Sequence, residues 1–263
     1  MSTAGHSRNE RMSVAARLWP QARRVATWAR RSARLTRADL ERRYNLNQLQ
    51  RFEAVANRHD RSLRTASAIL EFGCGDGRLI QYLFEFAPAA SVSGCDVQRE
   101  AIAACQRRFP TGHFVANGAT PPLSFPEAQF DLVYSYSVFT HLSESNHKAW
   151  LRELARTLRP GGMMIHTVHS YEYLRRAASF SPQSLEKYQL AESVEAFIRA
   201  GRDYVYVVDN PATPEYGHTI ISQEYVTTRW PQYAGLELVE YVEGAIEAYP
   251  EGCQDLVLMR KPA

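Results

Sequence analysis

Ile69-Leu70-Glu71-Phe72-Gly73-Cys74-Gly75-Asp76-Gly77-Arg78 is the stretch on which the reading of this chain turns. An apolar run closed by glycines reads as a buried strand, and the residues after it, Arg78–Phe86, read as a helix. Glycine allows positive φ and lets a ligand approach the backbone. A glycine triplet by itself is also an ordinary tight turn, so the spacing has to decide. A dinucleotide turn is spaced GxGxxG, with its third glycine for close packing and a pyrophosphate at the helix N-terminus. Counted from Gly73, that third glycine falls at position 78, which is Arg78. The spacing here is GxGxG, and Glu71 stands two residues before the first glycine. A carboxylate there repels a pyrophosphate and suits a ligand that carries positive charge, such as a sulfonium and an amino group.

Working outward, strands and helices alternate. Ala68–Phe72, Ser91–Val97, His113–Ala116, Phe130–Ser135 and Gly162–Val168 read as strands. Arg78–Phe86, Arg99–Phe109 and His147–Leu158 read as helices between them. Such alternation implies a parallel sheet covered on both faces. After residue 170 the rhythm changes. Residues 171–200 read as helical, and Tyr204–Val208 and His218–Ser222 as a hairpin laid over the sheet. Gln223–Tyr233 reads as a helix, and Leu236–Val242 and Asp255–Met259 as the last strands. The expected division is a basic helical N-terminal region over 1–65, with helices at 13–35 and within 38–65, followed by one domain over 66–263 with a lid insertion at about 171–222.

Asp96 closes the second strand, 23 residues after Gly73. An aspartate there is often a helix cap. At this distance from the glycine turn its carboxylate is placed to accept hydrogen bonds from both hydroxyls of a ribose.

The chain has 263 residues, room for one large α/β domain with additions or for two small ones. Its net charge of +3 conceals a split. Residues 1–64 hold 15 arginines against five acids, and the remainder carries a net −7. A cluster of that kind points to an anionic partner or surface. Cys74, Cys95, Cys105 and Cys253 form no CxxC pair, so neither a zinc site nor a disulfide framework is expected. No apolar run reaches the ~20 residues of a membrane span. The arginine-rich start lacks the apolar core of a signal peptide, and a reducing cytoplasm is the expected location.

These segments resemble the class I S-adenosylmethionine (SAM)-dependent methyltransferases. Glu71–Arg78 is similar to their first motif and Asp96 to their acidic second-strand residue. Phe130-Asp131-Leu132-Val133-Tyr134-Ser135, Val138-Phe139-Thr140-His141-Leu142 and the run from Trp150 to Gly162 agree as well. The resemblance covers roughly 66–170 closely and the last strands loosely. It implies an α/β Rossmann-like three-layer sandwich, a seven-stranded, mostly parallel sheet with an antiparallel last strand. N-terminal helices and an inserted helix and hairpin lid add to it. It implies SAM as cofactor, with Glu71, Gly73, Cys74 and Gly75 at the methionine end, Asp96 on the ribose, and Val97 against the adenine. Asn117 and Gly118 flank the adenine, in a loop where many relatives carry an aspartate. Ser135 faces the methionyl group through its backbone.

Ligands of open parallel sheets bind at the carboxyl ends of strands. His141 follows the fourth strand and His169 the fifth, so both are expected to face the cleft, His141 as base and His169 in placing substrate. Each has a plain alternative in packing or capping. Tyr216 and His218, on the hairpin, are placed to reach in from above, and His166 reads as a core histidine. His166 and His169 lie three apart on a strand and so on opposite faces, and no metal site is expected. The Asn/Asp-Pro-Pro-aromatic tetrapeptide of amine methylation is absent after the fourth strand, where Ser135-Tyr136-Ser137-Val138 stands. With the tyrosine-rich lid this favours a hydroxyl of a small molecule as acceptor: a sugar, a glycan or a natural product. The alternatives are a nucleic-acid, lipid or carrier-bound acceptor docked through the basic segment, and a SAM-binding protein without catalysis. Nucleic acid is disfavoured for want of an RNA-binding appendage. Peripheral membrane contact through 1–64 and a homodimer stay open.

Overall fold

The structure is a computed structural model that describes residues 36–88, 90–180, 182–190, 193–248 and 252–263. The helix expected over 13–35 lies outside these residues. A single helix, α1 (Arg37–Asn57), stands where one or two were expected. It opens on a reciprocal cap: Thr36 Oγ1 accepts from the Asp39 amide at 3.1 Å, and Asp39 Oδ2 accepts from the Thr36 amide at 3.0 Å.

From β1 (Ala68–Phe72) onward, strands and helices alternate as expected: α2 (Ile80–Phe86), β2 (Ser91–Asp96), α3 (Arg99–Arg108), β3 (His113–Ala116), β4 (Phe130–Ser135), α4 (Glu144–Thr157) and β5 (Leu158–Val168). Helix α4 starts three residues before the expected His147, because the Ser143 hydroxyl accepts from the Asn146 amide and caps it there. The chain closes with α7 (Gln223–Ala234), β8 (Glu237–Ala248) and β9 (Gly252–Arg260).

Seven strands form one sheet in the order β3-β2-β1-β4-β5-β9-β8. Strands β1 to β5 pair in parallel, and β9 runs antiparallel to both β5 and β8. All five residues of β1 are buried, because alternate side chains enter opposite cores. Leu70 and Phe72 join Val133, Trp150, Leu154 and Trp230 on the α4–α7 face. Ile69 joins Leu132, Phe52, Leu83 and Ile102 on the other. This is the Rossmann-like three-layer arrangement. The order reverses at β1, between β2 and β4, so the crevice outside the carboxyl ends of these strands is the place for a ligand.

The lid is not one helix over 171–200. It breaks into α5 (Tyr171–Phe180), a 3₁₀ turn (Pro182–Tyr188) and α6 (Val194–Arg199). Pro182 is a physical reason, since it has no amide hydrogen to donate back to α5. Strands β6 (Tyr204–Val208) and β7 (Gly217–Ile221) then pair antiparallel. Tyr173, Leu174, Tyr188, Phe197 and Ile220 seal the lid with an apolar cluster of its own.

Candidate active site

The turn after β1 is held by backbone hydrogen bonds. The amides of Gly73 and Cys74 both donate to the Cys95 carbonyl, at 2.8 and 3.0 Å. Gly73 has φ 77° and Gly75 φ 52°. A Cβ on Gly73 would lie 2.3 Å from Val138 Cγ2, so the loop after β4 rests directly on this glycine. A Cβ on Gly75 would meet nothing within 4 Å. Gly73 is therefore required by close approach, and Gly75 leaves open space above the turn.

Two carboxylates bracket that space. Asp96 Oδ2 accepts from the Gly75 amide at 2.8 Å, and its Oδ1 from the Gln98 amide at 2.9 Å. The carboxylate thus fixes the glycine turn to the end of β2, and each oxygen keeps a lone pair for a further donor. Glu71 is buried on β1, where it pairs in register with Tyr134 of β4, and accepts from the Tyr134 hydroxyl at 2.9 Å. Burial pushes its carboxyl up to about 8, against the opposing pull of the Tyr134 hydrogen bond. A buried acid in that state fits a cationic ligand group, whose charge favours the ionised form.

The adenine end is built from β2 and β3. Val97, 55% exposed, offers an apolar face beside Asp96. The Asn117 amide donates to the Asp96 carbonyl at 3.0 Å and its Nδ2 to the Gly118 carbonyl at 2.8 Å. Asn117 Oδ1 is buried without a hydrogen-bond partner, an acceptor suited to an exocyclic amino group. The side chains of Cys74 and Ser135 point elsewhere. Cys74 Sγ packs under the turn, 2.9 Å from where a Cβ of Gly94 would lie, and burial pushes its thiol up. Ser135 Oγ bonds His166 Nδ1 at 2.8 Å. Both residues can meet a ligand only through their backbone.

On the opposite side of the crevice, residues 140–142 accept the hairpin as a further strand. Gly217 donates to the His141 carbonyl, Thr219 to Thr140 and Ile221 to the His169 carbonyl, at 2.9–3.0 Å. The lid is hydrogen-bonded to the sheet's carboxyl edge. Within this seam, His141 Nδ1 lies 2.9 Å from the Gly217 carbonyl. A carbonyl only accepts, so Nδ1 carries the proton and the lone pair of the neutral ring sits on Nε2. The Tyr216 ring stacks on His141 at 4.6 Å and the His218 ring lies 5.5 Å away.

His169 is placed differently from expectation. It does not face the cleft: it is 2% exposed, stacked on Tyr173 at 3.8 Å, with Nδ1 2.7 Å from the Tyr188 hydroxyl. Burial drives its pKa well down, so it stays neutral. Its ring thus packs beneath the lid rather than lying open to solvent. His166 is a core histidine, held by burial at about 3. Most lid tyrosines are also committed to the fold. Tyr171, Tyr204 and Tyr206 donate to the carbonyls of Arg202, Leu142 and Pro214, Tyr188 bonds His169, and Tyr173 is fully buried. Tyr216, 47% exposed, is the one that presents an open face beside His141.

Nothing in the local sequence pattern points to Ser137 or Gln254. Ser137 takes φ 58°, a strained setting for a residue with a Cβ. It is held by its amide on Thr167 Oγ1 at 2.8 Å and by Gln254 Nε2 on its hydroxyl at 3.0 Å. Gln254 arrives from β9, 117 residues away. Among the described residues, no three His, Cys, Asp or Glu side chains are grouped to hold a metal ion. Nor is any described helix long and apolar enough to cross a membrane.

Comparison with known proteins agrees with this geometry. Residues 69–162 match the family described as methyltransferase domain. A fatty-acid O-methyltransferase of Mycolicibacterium smegmatis is 34% identical over 105 residues, 38% of this chain and 36% of that one. Phthiotriol/phenolphthiotriol dimycocerosates methyltransferase 1 of Mycobacterium ulcerans is 36% identical over 104 residues, with the same coverage. The chain thus spans about a third of the length of these relatives. Among solved structures, a Burkholderia thailandensis 1,6-didemethyltoxoflavin-N1-methyltransferase with bound S-adenosylhomocysteine shares the fold. Its TM-score is 0.54 at 16% identity, covering all of this chain and 94% of that one. The segment that matches the methyltransferase domain is about a third of the chain, and the fold built around it is the Rossmann-like fold of SAM-dependent methyltransferases. SAM is the cofactor of such domains, and the buried Glu71 carboxyl, the Asp96 carboxylate and the unpartnered Asn117 Oδ1 are groups that could hold its ammonium, ribose and adenine.

Proposed function

We propose that the protein transfers a methyl group from SAM to a hydroxyl of a small-molecule acceptor, with His141 as the base. When bound, SAM supplies a methyl group activated on a sulfonium. Glu71 binds the cofactor's amino group, and Asp96 accepts from its ribose hydroxyls. The loop after β4, resting on Gly73 through Val138, carries His141 beside this cradle. The hairpin over 140–142 shields the crevice from water. His141 Nε2 would take the acceptor's proton as the acceptor oxygen bonds to the methyl carbon and the methyl–sulfur bond breaks, the sulfonium leaving as a neutral thioether.

The observation that carries the reading is the Gly217 carbonyl on His141 Nδ1, which fixes the tautomer a base requires. Three of the lid tyrosines donate to backbone carbonyls, and Tyr173 and Tyr188 are buried, so little of the tyrosine surface that favoured a sugar is open and the proposal extends to hydroxyl acceptors in general. The test is transfer of tritiated methyl from SAM into a panel of phenols, alcohols, carboxylic acids and amines. Label in an alkali-stable ether is expected. Label released by alkali as methanol, or found on nitrogen, would overturn the hydroxyl assignment and leave the cofactor site standing.

A further inference from the structure

Between the 3₁₀ turn of the lid and β6 lies an open groove of about 510 Å³. Leu190, Phe197, Val205 and Val207 line it, with exposed Arg202 and buried Tyr188 among its remaining walls. Among the described residues, no acid lines it. Its volume falls within the roughly 300–1,000 Å³ typical of small-molecule sites. Leu190, Val205 and Val207 are only half-buried there, which leaves aliphatic surface to water in a concave place.

Residues of the groove pack against side chains that reach His141. Val207 pairs directly with His218 across the hairpin, so their side chains share one face. The His218 ring lies 5.9 Å from Tyr188 and 5.5 Å from His141. Tyr188 in turn lends its ring to the groove and its hydroxyl to His169. A row of packed side chains therefore links this groove, whose walls are part aliphatic and part polar, to His141.

We propose that this groove holds an apolar chain of the acceptor, an amphiphile whose hydroxyl reaches His141 while its aliphatic part lies against β6. The proposal rests on the reading of His141 given above. Its test is binding of cis-parinaric acid, an 18-carbon chain whose fluorescence rises in apolar surroundings, to the full chain in the presence of SAM. Saturable binding is expected, displaced by dodecan-1-ol and not by glucose. Val207→Trp, which fills the groove, and Val205→Glu, which charges it, are each expected to weaken binding by at least about tenfold, with SAM affinity and melting temperature unchanged. Should either variant fail to fold, the other carries the test, and displacement by dodecan-1-ol stands without either. Absence of saturable binding to the wild-type chain, or binding to the folded variants as tight as to the wild type, would overturn the proposal. So would a change of oligomeric state in Val207→Trp without a change in probe binding, which would make the groove a contact between copies. No methyl transfer is read in this experiment, so its failure is distinguishable from failure of the hydroxyl reading.

Discussion

The glycine turn after β1 and the hairpin over residues 140–142 border the same crevice but are assembled in opposite ways. On the cofactor side Gly75 and Asp96 are only 21 residues apart and Glu71, Asp96 and Asn117 all come from one short stretch, with Tyr134 and Val138 of the fourth strand and its loop packed against it. The acceptor side joins His141 to Gly217 over 76 residues, Tyr204 to Leu142 over 62, and Gln254 to Ser137 over 117. A site for one fixed cofactor can be written into a strand, a turn and a helix. A site for a variable acceptor is built from an insertion that changes without disturbing the sheet.

The sharpest way to break this contrast is at His141. His141→Ala is expected to lower kcat by roughly 10²–10⁴ with SAM affinity unchanged, because the base acts only in the transition state. Single-turnover methyl transfer beside calorimetric SAM titration separates the two. A loss of SAM affinity as large as the loss of rate would place His141 on the cofactor side.

The next largest effect is expected within the glycine turn. Gly73→Ala drives a methyl group into Val138 and strains a positive φ, for a loss of about 2–4 kcal/mol in stability. Gly75→Ala meets only the backbone term, about 1–2 kcal/mol. Denaturant titration of the two variants measures the difference, and equal losses would show that the loop after β4 does not rest on the turn. Asp96→Ala is expected to weaken SAM binding by about 1–3 kcal/mol, through lost charge-assisted hydrogen bonds and a loosened Gly75 amide. Unchanged affinity in a folded variant would remove Asp96 from the site.

Glu71 gives a pH signature. The folded carboxyl holds its proton up to about 8, whereas an unfolded glutamate releases it near 4.5. Between those values the folded state binds more protons, so the stability of the cofactor-free protein falls as pH rises, by up to about 1.4 kcal/mol per pH unit. Below 4.5 the contribution is complete. Glu71→Gln is expected to flatten the decline of Tm across that window and to abolish proton release on SAM binding near pH 7, read by calorimetry in buffers of different ionisation enthalpy. The smallest effect is expected from deleting residues 1–35, which should leave SAM affinity intact and alter acceptor use, membrane-surface binding or self-association. Unchanged activity, salt dependence and oligomeric state would reduce the basic segment to a solvated one.

The amino-acid sequence by itself determined the alternation of strands and helices, the GxGxG turn with Glu71, and Asp96 at its distance, because strand periodicity, glycine conformation and charge are properties of short segments. It placed His141 after the fourth strand without showing what holds it. Tertiary structure alone decided that the Gly217 carbonyl sets the His141 tautomer, that His169 turns under the lid, and that the tyrosines there spend their hydroxyls on backbone carbonyls. It also decided that Gln254 steadies the strained Ser137, and that Val207 faces a groove. The reason is physical: a buried polar group must find a partner, and which one it finds depends on which distant segments pack beside it.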